Sequence, residues 1–240
     1  MQPAQTAAAT QAALQALATP ERAKASARFF KTGPGQYGEG DEFIGVAVPQ
    51  QRAVARQFRQ LPLPELNRLL ASPVHEDRLT AVFILVMQYQ RAGRADQQNI
   101  VDFYLTHTAC INNWDLVDSS AGYILGTWLI EHGPIGLLDK LAASQSLWER
   151  RIAMLAAGQF MRASRPEVTL RIATKLINDP HDLIHKAVGW MLREVGKTNE
   201  IILRTFLDQY AATMPRTALR YAIEKFDPKT RRHYLGLGRP

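Results

Sequence analysis

The chain has 240 residues, 46% of them hydrophobic and 21% charged, with a formal net charge of +7. These are globular proportions, which exclude a disordered chain, and no continuous apolar run is long enough to span a bilayer. The one cysteine, Cys110, excludes an internal disulfide and a cysteine-only zinc site.

The N-terminal stretch is rich in Ala and Gln and has no Lys or Arg before Arg22, so it lacks the charged start of a secretory leader. Its first ten or so residues are expected to lack fixed structure. The remainder is expected to form one domain in a reducing, cytoplasmic compartment. Apolar residues recur at helical spacing almost throughout, as in Leu79, Val82, Phe83, Val86 and Met87, and again in Ile152, Leu155, Ala156 and Phe160. Prolines and glycines punctuate this pattern: Pro20, Pro49, Pro62, Pro64, Pro73, Gly93, Gly133-Pro134, Pro166, Pro180, Pro215 and Pro228. Prolines at such places start or separate helices. The one long loop, Gly33 to Phe43, holds Gly33, Gly35, Gly38 and Gly40. It lacks the Lys-Ser/Thr pair of a phosphate loop.

Four segments, each expected to begin a helix and to be followed by an apolar stretch with small residues, align with one another: Val74-His-Glu-Asp-Arg78, Trp114-Asp-Leu-Val-Asp118, Leu147-Trp-Glu-Arg-Arg151 and Asp182-Leu-Ile-His-Lys186. Their fifth positions, Arg78, Asp118, Arg151 and Lys186, are 40, 33 and 35 residues apart. That period predicts an all-α protein, a HEAT-like or armadillo-like α-solenoid with a concave groove. The fifth positions are expected to line the groove in a row. Trp114 with Asp118, and Lys186 with Trp190, are i,i+4 pairs that each share a helix face. The alternative is that both indoles are core residues and the charges an ordinary surface.

Charge is uneven along the chain. Residues 1–149 hold 12 Lys+Arg against 14 Asp+Glu, and residues 150–240 hold 17 against 8. A basic groove of this kind points to a polyanion, nucleic acid before membrane, against the plainer alternative of a solvated basic face. Candidate phosphate contacts are Arg151, Lys186, Arg193, Lys197, Arg216, Arg220, Lys225, Lys229, Arg231 and Arg232. His181 and His185 are also i,i+4, but no third ligand accompanies them, so no metal is expected.

Asn112-Asn-Trp-Asp-Leu-Val-Asp118 resembles the Trp-Asp-x-Val-Asp motif of bacterial DNA alkylation repair glycosylases of the AlkD type. Ser146-Leu-Trp-Glu-Arg-Arg-Ile-Ala-Met154, the segment His185 to Asn199, and Phe43-Ile-Gly-Val-Ala-Val-Pro49 are similar to further signatures of that family. The resemblance runs from about residue 12 to about 235. It implies a HEAT-like fold and, as activity, cleavage of the N-glycosidic bond of positively charged N3- and N7-alkylpurines in duplex DNA. It also implies an open groove rather than a pocket for an extruded base. Carried over by motif, the functional residues are Trp114, Asp118, Arg151 and Trp190. Family members carry a tyrosine and a polar residue where this chain has Phe29 and Ala47, and Phe29 is expected to pack on sugar or base. The glycine-rich loop is expected to lie over the minor groove. The complete expectation is a monomeric, cofactor-free, monofunctional enzyme of the nucleoid, acting on alkylated duplex DNA. Its rivals are a non-catalytic DNA-binding paralogue and a protein-interaction scaffold.

Overall fold

The computed structural model of the chain describes residues 4–238. Among them all regular structure is helical, apart from an isolated bridge between Glu42 and Val74. The chain divides into two compact units, Met1–Ser120 and Ala121–Pro240.

The first unit contains α1 (Ala7–Gln15), α2 (Pro20–Phe29), α3 (Val48–Gln57), α4 (Leu63–Leu70), α5 (His75–Tyr89), α6 (Arg94–Thr106) and α7 (Trp114–Asp118). The helices start where the sequence supplies a cap or a proline. Thr6 accepts from the Ala9 N–H, and prolines occupy the first turns of α2, α3 and α4. Helix α1 therefore takes in Ala7 to Thr10 of the stretch expected to lack structure. Residues 1–3 of that stretch lie outside the described residues.

Helix α5 is the centre of this unit and packs against α1, α3, α4, α6 and α7. It is buried from His75 through Leu85. A helix buried all round is what its unbroken apolar stretch requires. Its first four residues, His75, Glu76, Asp77 and Arg78, are ionisable and buried too, so each needs partners.

The second unit contains α8 (Thr127–His132), α9 (Gly136–Ala142), α10 (Leu147–Ala157), α11 (Pro166–Leu176), α12 (Asp182–Thr198), α13 (Glu200–Tyr210), α14 (Arg216–Ala222) and α15 (Pro228–Gly236). A π-helical turn, Gly122–Gly126, leads into α8. It runs so close to α10 that a Cβ on Gly126 would sit 2.6 Å from the Ala156 carbonyl oxygen. Ser146, His181, Asn199 and Asp227 cap α10, α12, α13 and α15 through their side chains. Helix α12 is the centre here, packed on α10, α11, α13 and α14.

All four segments singled out by the repeat begin helices, with Val74 as the N-cap of α5. The charge asymmetry follows the division. The first unit holds 11 Lys+Arg and 11 Asp+Glu, and the second holds 18 against 11, so the whole +7 belongs to the second.

Candidate functional site

Helix α7 is a single short turn with the two motif residues at its ends. Asn113 caps it, its Oδ1 accepting from the Trp114 N–H at 2.8 Å. Trp114 and Asp118 then fall one turn apart on one face, both half-buried. Trp114 is therefore not a core residue of the ordinary kind. Its indole stacks on Phe30 with centroids 5.2 Å apart and planes within 15°. Phe29, 66% exposed, meets the indole edge-on at 5.9 Å. The indole N–H donates to the Tyr37 hydroxyl of the glycine-rich loop at 3.3 Å. Asp118 lies close enough to the buried Tyr104 hydroxyl for its charge to join burial in raising that phenol.

Beneath the indole the cluster continues inward. Phe30 stacks on Phe43 at 5.1 Å, and both cover the His75 ring, at 4.8 and 4.7 Å. The His75 imidazole bridges two carboxylates, with Nδ1 3.1 Å from Asp41 and Nε2 2.8 Å from Asp115. Asp41 also accepts from Arg78 at 2.5 Å and from Asn113 at 2.9 Å. Burial pulls the imidazole down, but the hydrogen bonds and charges of Asp115 and Asp41 outweigh it and raise His75 from 6.5 to about 9. Burial pushes Asp41 up, and the bonds from His75 and Asn113 with the Arg78 charge bring it below its ordinary value.

These shifts fix a sign. A group raised in the folded state adds stability that is complete below its unfolded value, near 6.5, and is lost as pH rises through about 9. The gap in Tm between the wild-type protein and His75→Gln is accordingly expected to be widest below about pH 6.5, to narrow through neutrality and to close as the pH passes about 9. Thermal melts across that range check this. A gap that does not change with pH would mean that the bridge is not ionic.

The other buried charges on α5 are also anchors. The Glu76 carboxylate accepts from the backbone N–H groups of Ile44, Gly45 and Val46 at 3.2, 2.8 and 3.3 Å. Gly45 is required there: its φ is +85°, and a Cβ would fall 2.1 Å from the Thr19 carbonyl oxygen. Asp77 accepts from Ser72 and Gln11 at 2.7 and 2.9 Å. Arg78, expected in the groove row, is 4% exposed and holds Asp41 and the Ser72 and Pro73 carbonyls. The expected row thus begins with a residue turned into the fold. Ala47, at the N-cap of α3, has no side-chain acceptor to offer, and its own N–H donates to Gln50 Oε1 at 3.1 Å.

In the second unit Arg151 is 4% exposed and donates to the Leu183 carbonyl at 2.5 Å, joining α10 to the first turn of α12. Lys186 is half-buried and pairs with Asp182 at 2.8 Å. Trp190, one turn further along α12, is half-buried as well. Of the cations expected to meet phosphate, Arg193 pairs with Glu224 and Glu194, and Lys197 with Glu194. Lys225 pairs with Glu224. Arg216 donates to the Leu235 and Leu237 carbonyls and so caps the end of α15. Arg220, Lys229, Arg231 and Arg232 are exposed, with no ion pair among the described residues. His181 and His185 are engaged separately, with Leu183 N–H and the Asp179 carbonyl.

The sequence reading missed the residues that surround Trp114: Phe30, Tyr37, Asp41, Phe43, His75 and Asp115. One signal for them was available. Four consecutive ionisable residues, His75 to Arg78, run directly into an apolar stretch and so cannot all face water.

This is an all-α chain of packed helical pairs, with an indole–carboxylate pair on one short helix. The family model of DNA alkylation repair enzymes matches residues 10–226, and the chain belongs to that family. It is similar in fold to a protein described as a predicted DNA alkylation repair enzyme from Enterococcus faecalis. The TM-score is 0.67 and the identity 17%, over 88% of this chain and 97% of that one. It is also similar to AlkD2 from Streptococcus mutans, with a TM-score of 0.58 and 17% identity over 85% and 98% of the two chains. The curated proteins include no match. The helical-repeat fold expected from the sequence is the fold of these relatives. No helix among the described residues is long and apolar enough to cross a membrane.

Proposed function

We propose that the protein is a DNA glycosylase that releases cationic N3- and N7-alkylpurines from duplex DNA and leaves an abasic site. The observation that carries this reading is the pairing on α7 of a half-buried carboxylate with an indole fixed by Phe30 and Tyr37. An N-alkylated purine is already positively charged, so it leaves without protonation by a general acid. The deoxyribose then acquires oxocarbenium character, and a nearby carboxylate stabilises that charge and orients the attacking water. Asp118 takes this role. Trp114 offers a π face to the cationic sugar, worth about 0.5–2 kcal/mol.

Affinity for DNA comes from the second unit, which carries the whole net charge. The cations best placed for it are the exposed Arg220, Lys229, Arg231 and Arg232. If these four meet phosphate, log affinity for random duplex should fall against log salt with a slope of about −3 to −4, and each Ala substitution should make it shallower by about 1. Electrophoretic shifts across a salt series check this. Salt-independent binding, or binding to proteins alone, would favour the scaffold reading. The test of the activity itself is release of free 7-methylguanine from methylated duplex. Binding without release would leave a non-catalytic DNA-binding protein.

A further inference from the structure

The glycine-rich loop, expected over the minor groove, has a further role within the fold. Three separate contacts fasten it to α7. The Tyr37 hydroxyl accepts from the Trp114 indole, Asp41 accepts from Asn113, and Asp41 reaches Asp115 through the His75 ring. His75 takes part in both the hydrogen-bonded and the stacked part of this linkage. It bridges Asp41 to Asp115, and its ring lies under Phe30, the ring on which Trp114 stacks. His75 is 1% exposed and cannot touch substrate.

We propose that His75 is a positioning residue for Trp114 and Asp118, acting through the Asp41–His75–Asp115 bridge that ties the glycine-rich loop to the first turn of α7. This rests on the glycosylase reading for its catalytic consequence, but not for its structural one. Asp115 is the second residue of a five-residue helix, so holding its carboxylate sets the roll of the whole helix. Rotation about that axis moves the Trp114 face and the Asp118 carboxylate together. The loop is then a brace for the indole.

The test uses the whole 240-residue chain and reads Trp114 by itself. Acrylamide quenching is measured for each protein and for the same protein carrying Trp114→Phe, and the difference belongs to Trp114. His75→Gln is expected to melt cooperatively and to bind random duplex as the wild type does. Trp114 quenching should rise about two-fold or more, and single-turnover release of 7-methylguanine should fall about ten- to a hundred-fold, the scale of a small misplacement of reacting groups. Asp115→Asn, which keeps an acceptor for His75 but removes its charge, should fall between the two. It replaces His75→Gln if that variant does not fold. His107→Gln is the control, since His107 bonds Phe103 and Asn67 instead. Unchanged Trp114 quenching in both His75→Gln and Asp115→Asn would overturn the proposal. If the wild type releases no base, the glycosylase reading fails, while the quenching still decides the role of His75.

Discussion

Asp118→Asn is expected to lower release of 7-methylguanine by about a hundred-fold or more, about 2.7 kcal/mol of lost transition-state stabilisation, with DNA affinity retained. The substitution keeps the size and shape of the side chain and removes the charge that, on the proposed mechanism, stabilises the oxocarbenium ion. Helix stability does not account for a carboxylate in this place. Asp118 is the last residue of α7, at the negative end of the helix dipole, where a cation would be favoured. Its charge also acts against the ionisation of the neighbouring Tyr104 hydroxyl. The variant is isosteric with the wild type and is expected to fold and melt cooperatively, so that lost activity reads the chemistry. Single-turnover excision with protein in excess, alongside binding to the same duplex, separates the two effects. An active Asp118→Asn would remove the carboxylate from the mechanism.

Glu76→Ala should have the largest effect on stability, about 3–5 kcal/mol, because it leaves three backbone N–H groups without an acceptor in a buried site. Glu76→Gln is the informative partner. Oε1 serves both Gly45 and Val46, and Oε2 serves Ile44. A glutamine keeps one oxygen and can satisfy two of the three, so it should cost roughly half as much. Chemical denaturation of the three proteins measures this. Equal stability of all three would mean that the segment before α3 does not depend on α5 for its position.

Local features of the fold were legible in the sequence because their causes are local. Ser146 caps the helix it precedes, prolines sit in the first turns of α2, α3, α4, α11 and α15, and the apolar stretch after Arg78 forms a buried helix. The indole–carboxylate pair of α7 was legible for the same reason, as an i,i+4 spacing. What surrounds it was not. The partners of His75, Asn113 and Trp114 lie 34 to 77 residues away along the chain, brought close by tertiary packing that no periodicity encodes. Nor does spacing reveal where a cation is spent. Arg78, Arg151 and Arg216 hold backbone carbonyls, whereas Arg220 and Arg232 face water, and all five read alike in sequence.

The central claim is tested most directly by incubating the wild-type protein in excess with duplex DNA containing 7-methylguanine and separating the free base by chromatography. Free 7-methylguanine and a matching number of abasic sites, both well above the spontaneous background and both lost in Asp118→Asn, are the predicted result. Bound DNA with release no faster than background would contradict it.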